Sequence, residues 1–163
     1  MIAATTTIRI SIDQQILNVC RDGNVIKSYE ICTAKNGVGE QFGSECTPRG
    51  AHIIRAKIGE NAPVASVFVG RRLTGEIYNQ LLGKECPDRD WILTRILWLS
   101  GCEIDKNRLG KVDTMRRYIY IHGAPDELVK GEPSSHGCIR MLNEDIVDLF
   151  DNIVVGTRIL IGE

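Results

Sequence analysis

With 163 residues, the chain has the length of one domain, and its 43% hydrophobic and 25% charged residues are ordinary for a globular protein. The formal net charge of −1, without a run of basic residues, argues against nucleic acid as a partner. No apolar stretch approaches the roughly 20 residues that a membrane-spanning helix needs, so no membrane span is expected. We therefore expect a single domain over residues 1–163.

Alternating apolar and polar residues predict strands in the first third of the chain. Ile8, Ile10 and Ile12 repeat at every second position, as in a strand with one buried face. Asp22-Gly23 separates two further strand-like stretches and is a strong hairpin signal. The stretch that follows them is rich in glycine and is predicted to be a loop. The elements predicted here are strands over 8–12, 16–20 and 25–31, a loop over 35–50 and a strand over 51–58.

The middle of the chain interrupts this series of strands. Glycines over residues 70–90 predict a long excursion, with a short helix over 76–82. Residues 91–99 are strongly apolar and contain Ile, Thr and Trp, which favours a central strand over a helix. Residues 117–121 are predicted to form the strand that delivers His122.

After Cys138 the apolar pattern changes to a period of 3.6 residues, which predicts a helix. Asn143 is the predicted N-cap of this helix. A closing strand is predicted over 157–161. The apolar stripe of the helix consists of Ile146, Leu149, Phe150 and Ile153. Many strands with one clear helix indicate a mainly β domain, a sandwich or barrel, with the helix after the cysteine.

The chemistry of the chain is concentrated in Ser134-Ser135-His136-Gly137-Cys138-Ile139-Arg140, with His122-Gly123 upstream. A thiol attacks as its thiolate, and a free cysteine has a pKa near about 8.5, so a base is needed to take its proton. His122 follows an apolar strand that would fix its ring, which favours it as that base. Cys138 lies in a polar loop and is the predicted nucleophile, ionised by His122. The other five cysteines are interpreted as structural.

Four neighbours of Cys138 are candidate binding residues. Gly137 permits unusual backbone shapes, and the N–H groups of Gly137 and Cys138 are the candidate oxyanion hole. His136 either supports the loop and contacts substrate or acts as a second electrostatic partner that lowers the pKa of the thiol. Ser135 is expected to satisfy backbone groups of this substrate-binding loop. Arg140 either holds a substrate carboxylate or pairs with an acidic residue of the following helix. The three acidic candidates are Glu144, Asp145 and Asp148.

The cysteine count and the first residues bear on the cellular compartment. Residues 1–7 lack the charged and apolar regions of a signal peptide. An oxidising compartment would tend to pair six thiols and endanger the nucleophile. These observations favour the cytoplasm, and the periplasm is the alternative if the N-terminus is not the native one. Since the chain has no CxxC motif, neither a metal site nor a cofactor is expected.

The histidine and cysteine motifs together resemble a known signature. His122-Gly123 with Ser135–Arg140 is similar to the signature of the L,D-transpeptidase (YkuD-type) catalytic domain, a family of cysteine acyl-transferases that act on bacterial peptidoglycan. Thr47-Pro48-Arg49-Gly50 resembles the Thr-Pro-x-Gly turn of the family, and residues 118–123 resemble its histidine-bearing strand. The resemblance extends from about Ile8 to Ile161.

The resemblance implies both roles and a substrate. It implies that Cys138 is the nucleophile, that His122 is the base, and that the Gly123 carbonyl orients the imidazole. The implied substrate is a murein tetrapeptide, cleaved between its third residue and D-Ala through a thioester on Cys138. An amine acceptor would make the chain a cross-linking L,D-transpeptidase, and water would make it an L,D-carboxypeptidase, which the missing signal peptide favours. A carbapenem adduct on Cys138 is also implied, and we expect a monomer.

Two other classes of protein stay open. A non-catalytic murein-binding module would share the fold without needing the histidine and the cysteine, so their presence argues against it. A zinc or redox protein would hold a metal ion or form a reversible disulfide.

Overall fold

The computed structural model describes residues 3–163; Met1 and Ile2, which begin the segment considered above for a signal peptide, lie outside the described residues. Over that range the chain forms ten strands, three α-helices and a 3₁₀ turn. The strands are β1 (Thr6–Ser11), β2 (Ile16–Arg21), β3 (Asn24–Cys32), β4 (Gly50–Ile58), β5 (Ser66–Val69), β6 (Arg72–Ile77), β7 (Ile92–Gly101), β8 (Tyr120–Gly123), β9 (Ile139–Met141) and β10 (Arg158–Gly162). The helices are α1 (Gln80–Glu85), α2 (Asp126–Val129) and α3 (Asn143–Asn152), and the 3₁₀ turn covers Gly110–Val112.

Eight of these strands close into a barrel. Their order is β4, β10, β1, β2, β3, β9, β8 and β7, and β7 also pairs with β4. The pairs β1–β10 and β8–β9 are parallel. The first part of β7 pairs with β5 instead of β4, so β5 and β6 extend the sheet as a hairpin beyond the barrel. The prediction of a mainly β sandwich or barrel with a helix after Cys138 is confirmed.

The barrel interior is apolar because alternate strand positions point inward. Ile8 and Ile10 of β1 are 1% and 3% exposed, and they pair with Val19 and Leu17 of β2. The turn Asp22-Gly23 then joins β2 to β3 with φ angles of 48° and 85°. Two positive φ angles are what a type I′ turn requires, so the predicted hairpin is confirmed.

The helix α3 packs against β7 and β8. Its residues Ile146, Leu149 and Phe150 are buried, which confirms the predicted apolar stripe. At its C-terminal end, Lys57 Nζ donates hydrogen bonds to the carbonyl oxygens of Phe150 (2.5 Å) and Ile153 (2.8 Å). A cation from β4 therefore satisfies carbonyls that the helix itself leaves unpaired.

The prediction of Asn143 as the N-cap of α3 is wrong. Asn143 is the first helical residue, and Leu142 occupies the cap position without a side-chain hydrogen bond. The Asn143 amide is used elsewhere, because its Oδ1 accepts a hydrogen bond from Thr94 Oγ1 and its Nδ2 lies 3.5 Å from Ala124 O. A contact between helix and strands thus replaces the local cap.

The predicted excursion over 70–90 contains more regular structure than expected. The strands β5 and β6 form a hairpin around Gly70-Arg71, whose φ angles are 55° and 64°. The helix begins at Gln80 and not at residue 76, because Asn79 Oδ1 accepts a hydrogen bond from the Leu82 N–H at 2.9 Å and caps it there.

The strand predicted over 117–121 is also displaced. Strand β8 begins only at Tyr120, after a turn in which Tyr118 has a φ of 54°. His122 therefore lies inside β8, between β7 and β9, rather than at the end of a strand.

All six cysteines are free thiols. Cys20 and Cys32 are buried, whereas Cys102 is exposed. Among residues 3–163, no helix has both the length and the apolar character needed to cross a membrane.

Candidate active site

The loop before β9 is held in one shape by its own side chains. Ser135 Oγ donates a hydrogen bond to Cys138 O at 2.6 Å and accepts one from the Gly137 N–H at 3.2 Å. Thr47 Oγ1 donates to Gly137 O at 2.9 Å. Gly137 has a φ of 128°, and a Cβ there would lie 2.9 Å from Ile119 Cδ1. Only glycine fits this position, so the loop presents Cys138 from a fixed backbone.

Cys138 opens onto a cleft of about 520 Å³. The cleft walls include Arg71, Asp90, Arg117, Tyr118, Tyr120 and His136. The sulfur lies at the backbone that leads into β8, where Sγ donates to Tyr118 O at 3.4 Å and accepts from the Tyr120 N–H at 3.3 Å. The thiol is therefore positioned by two main-chain groups at the edge of a space large enough for a peptide.

Burial favours the neutral form of the Cys138 thiol. Burial raises the pKa of Cys138 from 9.0 to about 12, and the Asp90 carboxylate acts in the same direction. The Tyr120 N–H and the guanidinium groups of Arg140 and Arg117 lower this pKa, but by less. Burial therefore works against the resting ionisation of Cys138 by His122 that the sequence predicts, and that ionisation stays a prediction.

His122 is fully buried in β8, level with Ile96 of β7 and Arg140 of β9. Its Nδ1 lies 2.7 Å from Gly123 O. Because a carbonyl only accepts, Nδ1 carries the proton and Nε2 keeps its lone pair. Nε2 is buried and has no hydrogen-bond partner within the described residues. Burial also lowers the pKa of His122, so the imidazole is an uncharged base with an unused acceptor.

Cys138 and His122 belong to one local environment. Ile139 pairs with Ile121, so continuing the register places Cys138 level with Tyr120, two residues before His122 on the parallel neighbouring strand. The same two charges act on both groups: Asp90 raises and Arg140 lowers the pKa of each. No hydrogen bond joins Sγ to Nε2 in the part of the chain that the structure describes. Catalytic contacts in unliganded enzymes are often long and tighten only with substrate.

Close packing requires a glycine at position 123, and the carbonyl of this residue accepts the hydrogen bond from His122. A Cβ at this position would lie 2.6 Å from Asn143 Oδ1 and 2.7 Å from Leu93 O. Thr94, next to Leu93, has a φ of 72°, and its hydroxyl contacts the Asn143 amide. The register of β7 against β8 shifts between Leu93 and Ile96, as at a β-bulge. This bulge and the start of α3 thus fix the carbonyl to which His122 is bonded.

Arg140 does not pair with any of its three predicted partners on α3. Its side chain is 5% exposed and forms an ion pair with Asp90 at 3.2 Å, while Nη1 donates to Ser134 Oγ at 2.8 Å. Asp90 lies before β7, fifty residues away in sequence, and its position at the cleft could not be read from local pattern. A buried guanidinium needs a carboxylate, and Asp90 is the one that the fold brings to it.

The remaining predicted binding groups have different surroundings. The Gly137 N–H is already bonded to Ser135 Oγ, which leaves the Cys138 N–H as the oxyanion candidate without an acceptor among residues 3–163. Ser135 bonds to backbone groups of its own loop, as expected. His136 is exposed on the cleft wall, and its ring makes no hydrogen bond within the described chain. Contact of His136 with substrate stays a prediction.

Sequence reasoning missed several residues around the cleft. Arg117 donates through Nη2 to Cys46 O at 2.6 Å and through Nη1 to Gly39 O at 3.2 Å, which ties the glycine-rich loop to the site. Arg71 reaches the cleft from the β5–β6 turn. Neither residue lies in a motif, so only the fold reveals it. In residues 3–163 no three His, Cys, Asp or Glu side chains come together as a metal site would require.

The chain matches one protein family over nearly all its length. A profile of the family described as YkuD, L,D-transpeptidase catalytic domain, matches residues 5–161. Among individual proteins, a candidate L,D-transpeptidase of Bacillus subtilis (strain 168), YqjB, is 54% identical over 43 residues, which are 26% of this chain and 24% of that protein.

Solved structures share the fold. An L,D-transpeptidase from Mycobacterium smegmatis superimposes with a TM-score of 0.58 at 20% identity, covering 99% of this chain and 60% of that chain. The LD transpeptidase LdtMt1 in complex with imipenem gives a TM-score of 0.58 at 19% identity, covering 98% and 60%. The chain thus spans about 60% of the length of these two proteins.

Proposed function

The chain belongs to the YkuD family of L,D-transpeptidase catalytic domains, and we propose that it transfers an acyl group of a peptidoglycan stem peptide through a thioester on Cys138. The donor is a murein tetrapeptide, and the bond that breaks joins its third residue to D-Ala. The observation that carries the proposal is a thiol that opens onto a cleft, with a buried imidazole on the adjoining strand whose Nε2 lone pair has no partner among the described residues.

The first step forms the acyl-enzyme. Cys138 Sγ attacks the carbonyl carbon of the third residue as its proton passes to His122 Nε2. Because burial disfavours both the free thiolate and the free imidazolium, proton transfer accompanies the attack rather than preceding it. The Gly123 carbonyl, at 2.7 Å from Nδ1, supports the imidazolium that results. The Cys138 N–H donates to the oxyanion, the C–N bond then breaks, and the amine of D-Ala leaves with the proton from Nε2.

The second step releases the acyl group to an acceptor. An amine or a water molecule attacks the thioester carbonyl and gives its proton to His122 Nε2, and the thiol leaves with that proton. An amine of a neighbouring stem peptide gives a cross-link, whereas water gives a tripeptide. The free thiols of all six cysteines suit a reducing compartment, where no sacculus is present and water is the acceptor.

A carbapenem should acylate the same sulfur. LdtMt1 has been solved in complex with imipenem, and a strained β-lactam offers Cys138 the same kind of carbonyl as the stem peptide. We propose that imipenem opens on Cys138 and blocks turnover.

The test is product analysis with purified protein. A murein tetrapeptide is incubated with and without a D-amino acid or a second stem peptide, and the products are separated by mass. Release of D-Ala that requires Cys138 is expected, with loss in Cys138→Ala and retention in the matched variant of an exposed thiol, Cys102→Ala. Tripeptide identifies water as the acceptor, and exchange or dimer products identify an amine. Unchanged tetrapeptide would refute the proposal.

A further inference from the structure

Two arginines, Arg71 and Arg117, line the catalytic cleft, and a third, Arg140, lies buried against its Asp90 wall. Arg140 is buried and bonded to Asp90 and Ser134. Arg117 is half-buried and donates to the main-chain oxygens of Cys46 and Gly39. The terminal nitrogens of both guanidinium groups therefore hold the protein together, and a ligand that took them over would have to break those bonds.

Arg71 is held in a different way. Its guanidinium lies over two neighbouring aromatic rings, with Cζ 4.6 Å from the ring centroid of Trp98 and 4.8 Å from that of Tyr118. Nη1 donates to the Tyr120 hydroxyl at 2.9 Å. Aromatic faces position a guanidinium plane but leave its in-plane N–H groups unused. No carboxylate within residues 3–163 forms a salt bridge with Arg71, although Arg71 lines the cleft.

Tyr118 and Tyr120 contact Arg71 through their side chains and Cys138 through their main chain. The Tyr118 carbonyl accepts the hydrogen bond from Cys138 Sγ, and the Tyr120 N–H donates to the same sulfur. The rings of these tyrosines contact Arg71. A peptide bound at Sγ would therefore share the cleft with an oriented, partly unpaired guanidinium. Arg71 lies at the tip of the β5–β6 hairpin, with a φ of 64°, and its guanidinium is oriented by these contacts.

We infer that Arg71 binds a carboxylate of the stem peptide and selects donors that carry it. The inference rests on the proposed function. Stem peptides offer two sources of this group, the terminal carboxylate of D-Ala and the carboxylates of the internal residues. A planar guanidinium with two adjacent N–H groups matches either in a bidentate manner, which a lysine ammonium does not.

The test measures binding, so that it does not depend on turnover. The full chain carrying Cys138→Ala is titrated, followed by NMR, with a tetrapeptide, its C-terminal amide and the same tetrapeptide amidated at its internal carboxyls. One amide is expected to bind about 10- to 100-fold more weakly than the acid, the range of a charge-assisted hydrogen bond, and which amide does so identifies the carboxylate. Arg71→Gln should reduce that ratio to about 1, and Arg71→Lys should give an intermediate value.

The matched control is Arg72→Gln, which changes the next arginine of the same hairpin; Arg72 is exposed and outside the cleft wall. It should keep the full preference for the acid. Equal binding of acid and both amides by the unaltered Arg71 protein, or no binding at all, would overturn the inference. Should Arg71→Gln fail to fold, an unchanged ratio in Arg71→Lys would also overturn it. Failure of the proposed function has a different signature, since it leaves tetrapeptide uncleaved by the protein with its native Cys138.

Discussion

Alkylation of Cys138 should be slow at neutral pH and should accelerate steadily as the pH rises. Burial raises the pKa of this thiol from 9.0 to about 12, and the acid form of a group with a raised pKa predominates below that value. The thiolate fraction near pH 7 is then about 1,000-fold lower than for an unperturbed thiol. A more basic thiolate is also intrinsically more nucleophilic, with a Brønsted coefficient of about 0.4–0.5. The net expectation is alkylation about 30- to 60-fold slower than that of an unperturbed thiol.

The assay is iodoacetamide labelling between about pH 6 and pH 10, roughly the range in which protein thiols titrate. The labelling of each cysteine is followed by peptide mass spectrometry. Cys102 is exposed and serves as the reference thiol within the same molecule. The logarithm of the Cys138 rate should rise by about one per pH unit without a plateau near neutrality. Labelling of Cys138 that is faster than that of Cys102 at pH 6–7 and independent of pH would show a preformed thiolate–imidazolium pair, and the reasoning from burial would be refuted.

Three further outcomes are expected. Gly123→Ala should destabilise the fold by about 1–3 kcal/mol in denaturant unfolding, because its Cβ would meet Asn143 Oδ1 at 2.6 Å, and an unchanged midpoint would contradict this. Burial lowers the pKa of His52 to about 4. The unfolded chain therefore takes up a proton at His52 more readily than the folded chain, and the free energy of unfolding falls as the pH drops from about 6.5 to 4, by roughly 2 kcal/mol at pH 5. His52→Gln should remove that part of the dependence of stability on acid pH. His122→Gln should slow acylation by about 10²- to 10⁴-fold, whereas an equal loss in His136→Gln would argue against His122 as the base.

The fold class and the family were accessible from the sequence because both rest on local signals. Period-2 alternation around Ile8 and Ile10 and the turn Asp22-Gly23 encode a strand and a hairpin within a few residues. The apolar stripe of α3 is equally local. The residues of the histidine and cysteine motifs are specific enough to identify the family.

Pairings between distant residues were not accessible in this way. The closure of β4 onto β7 joins strands whose sequences carry no mark of each other. Asparagine is a residue type favoured at helix N-caps, yet the Asn143 amide oxygen accepts a hydrogen bond from the hydroxyl of Thr94, 49 residues away. Arg140 has three acidic residues close in sequence, but Asp90 reaches it. In each case a tertiary contact overrides a sound local preference.

The candidate site was likewise predictable where its residues are neighbours in sequence and not where distant residues meet. The motif places Cys138 and Gly137 in one loop, and their sequence neighbours Ser134 and Ser135 bond within the site. The raised pKa of the thiol depends on burial, which only the folded chain creates. Arg71 enters the cleft from a hairpin that the glycines of residues 70–90 suggested only as an irregular excursion.

The central claim is that Cys138 carries the acyl group of the stem peptide as a thioester. The protein is mixed with a murein tetrapeptide, quenched in acid and weighed intact, beside Cys138→Ala. The account predicts one added tripeptidyl mass in the native chain, located on the peptide that contains Cys138, released by hydroxylamine and missing from Cys138→Ala. The same added mass on Cys138→Ala, or an acyl group on another cysteine, would contradict it.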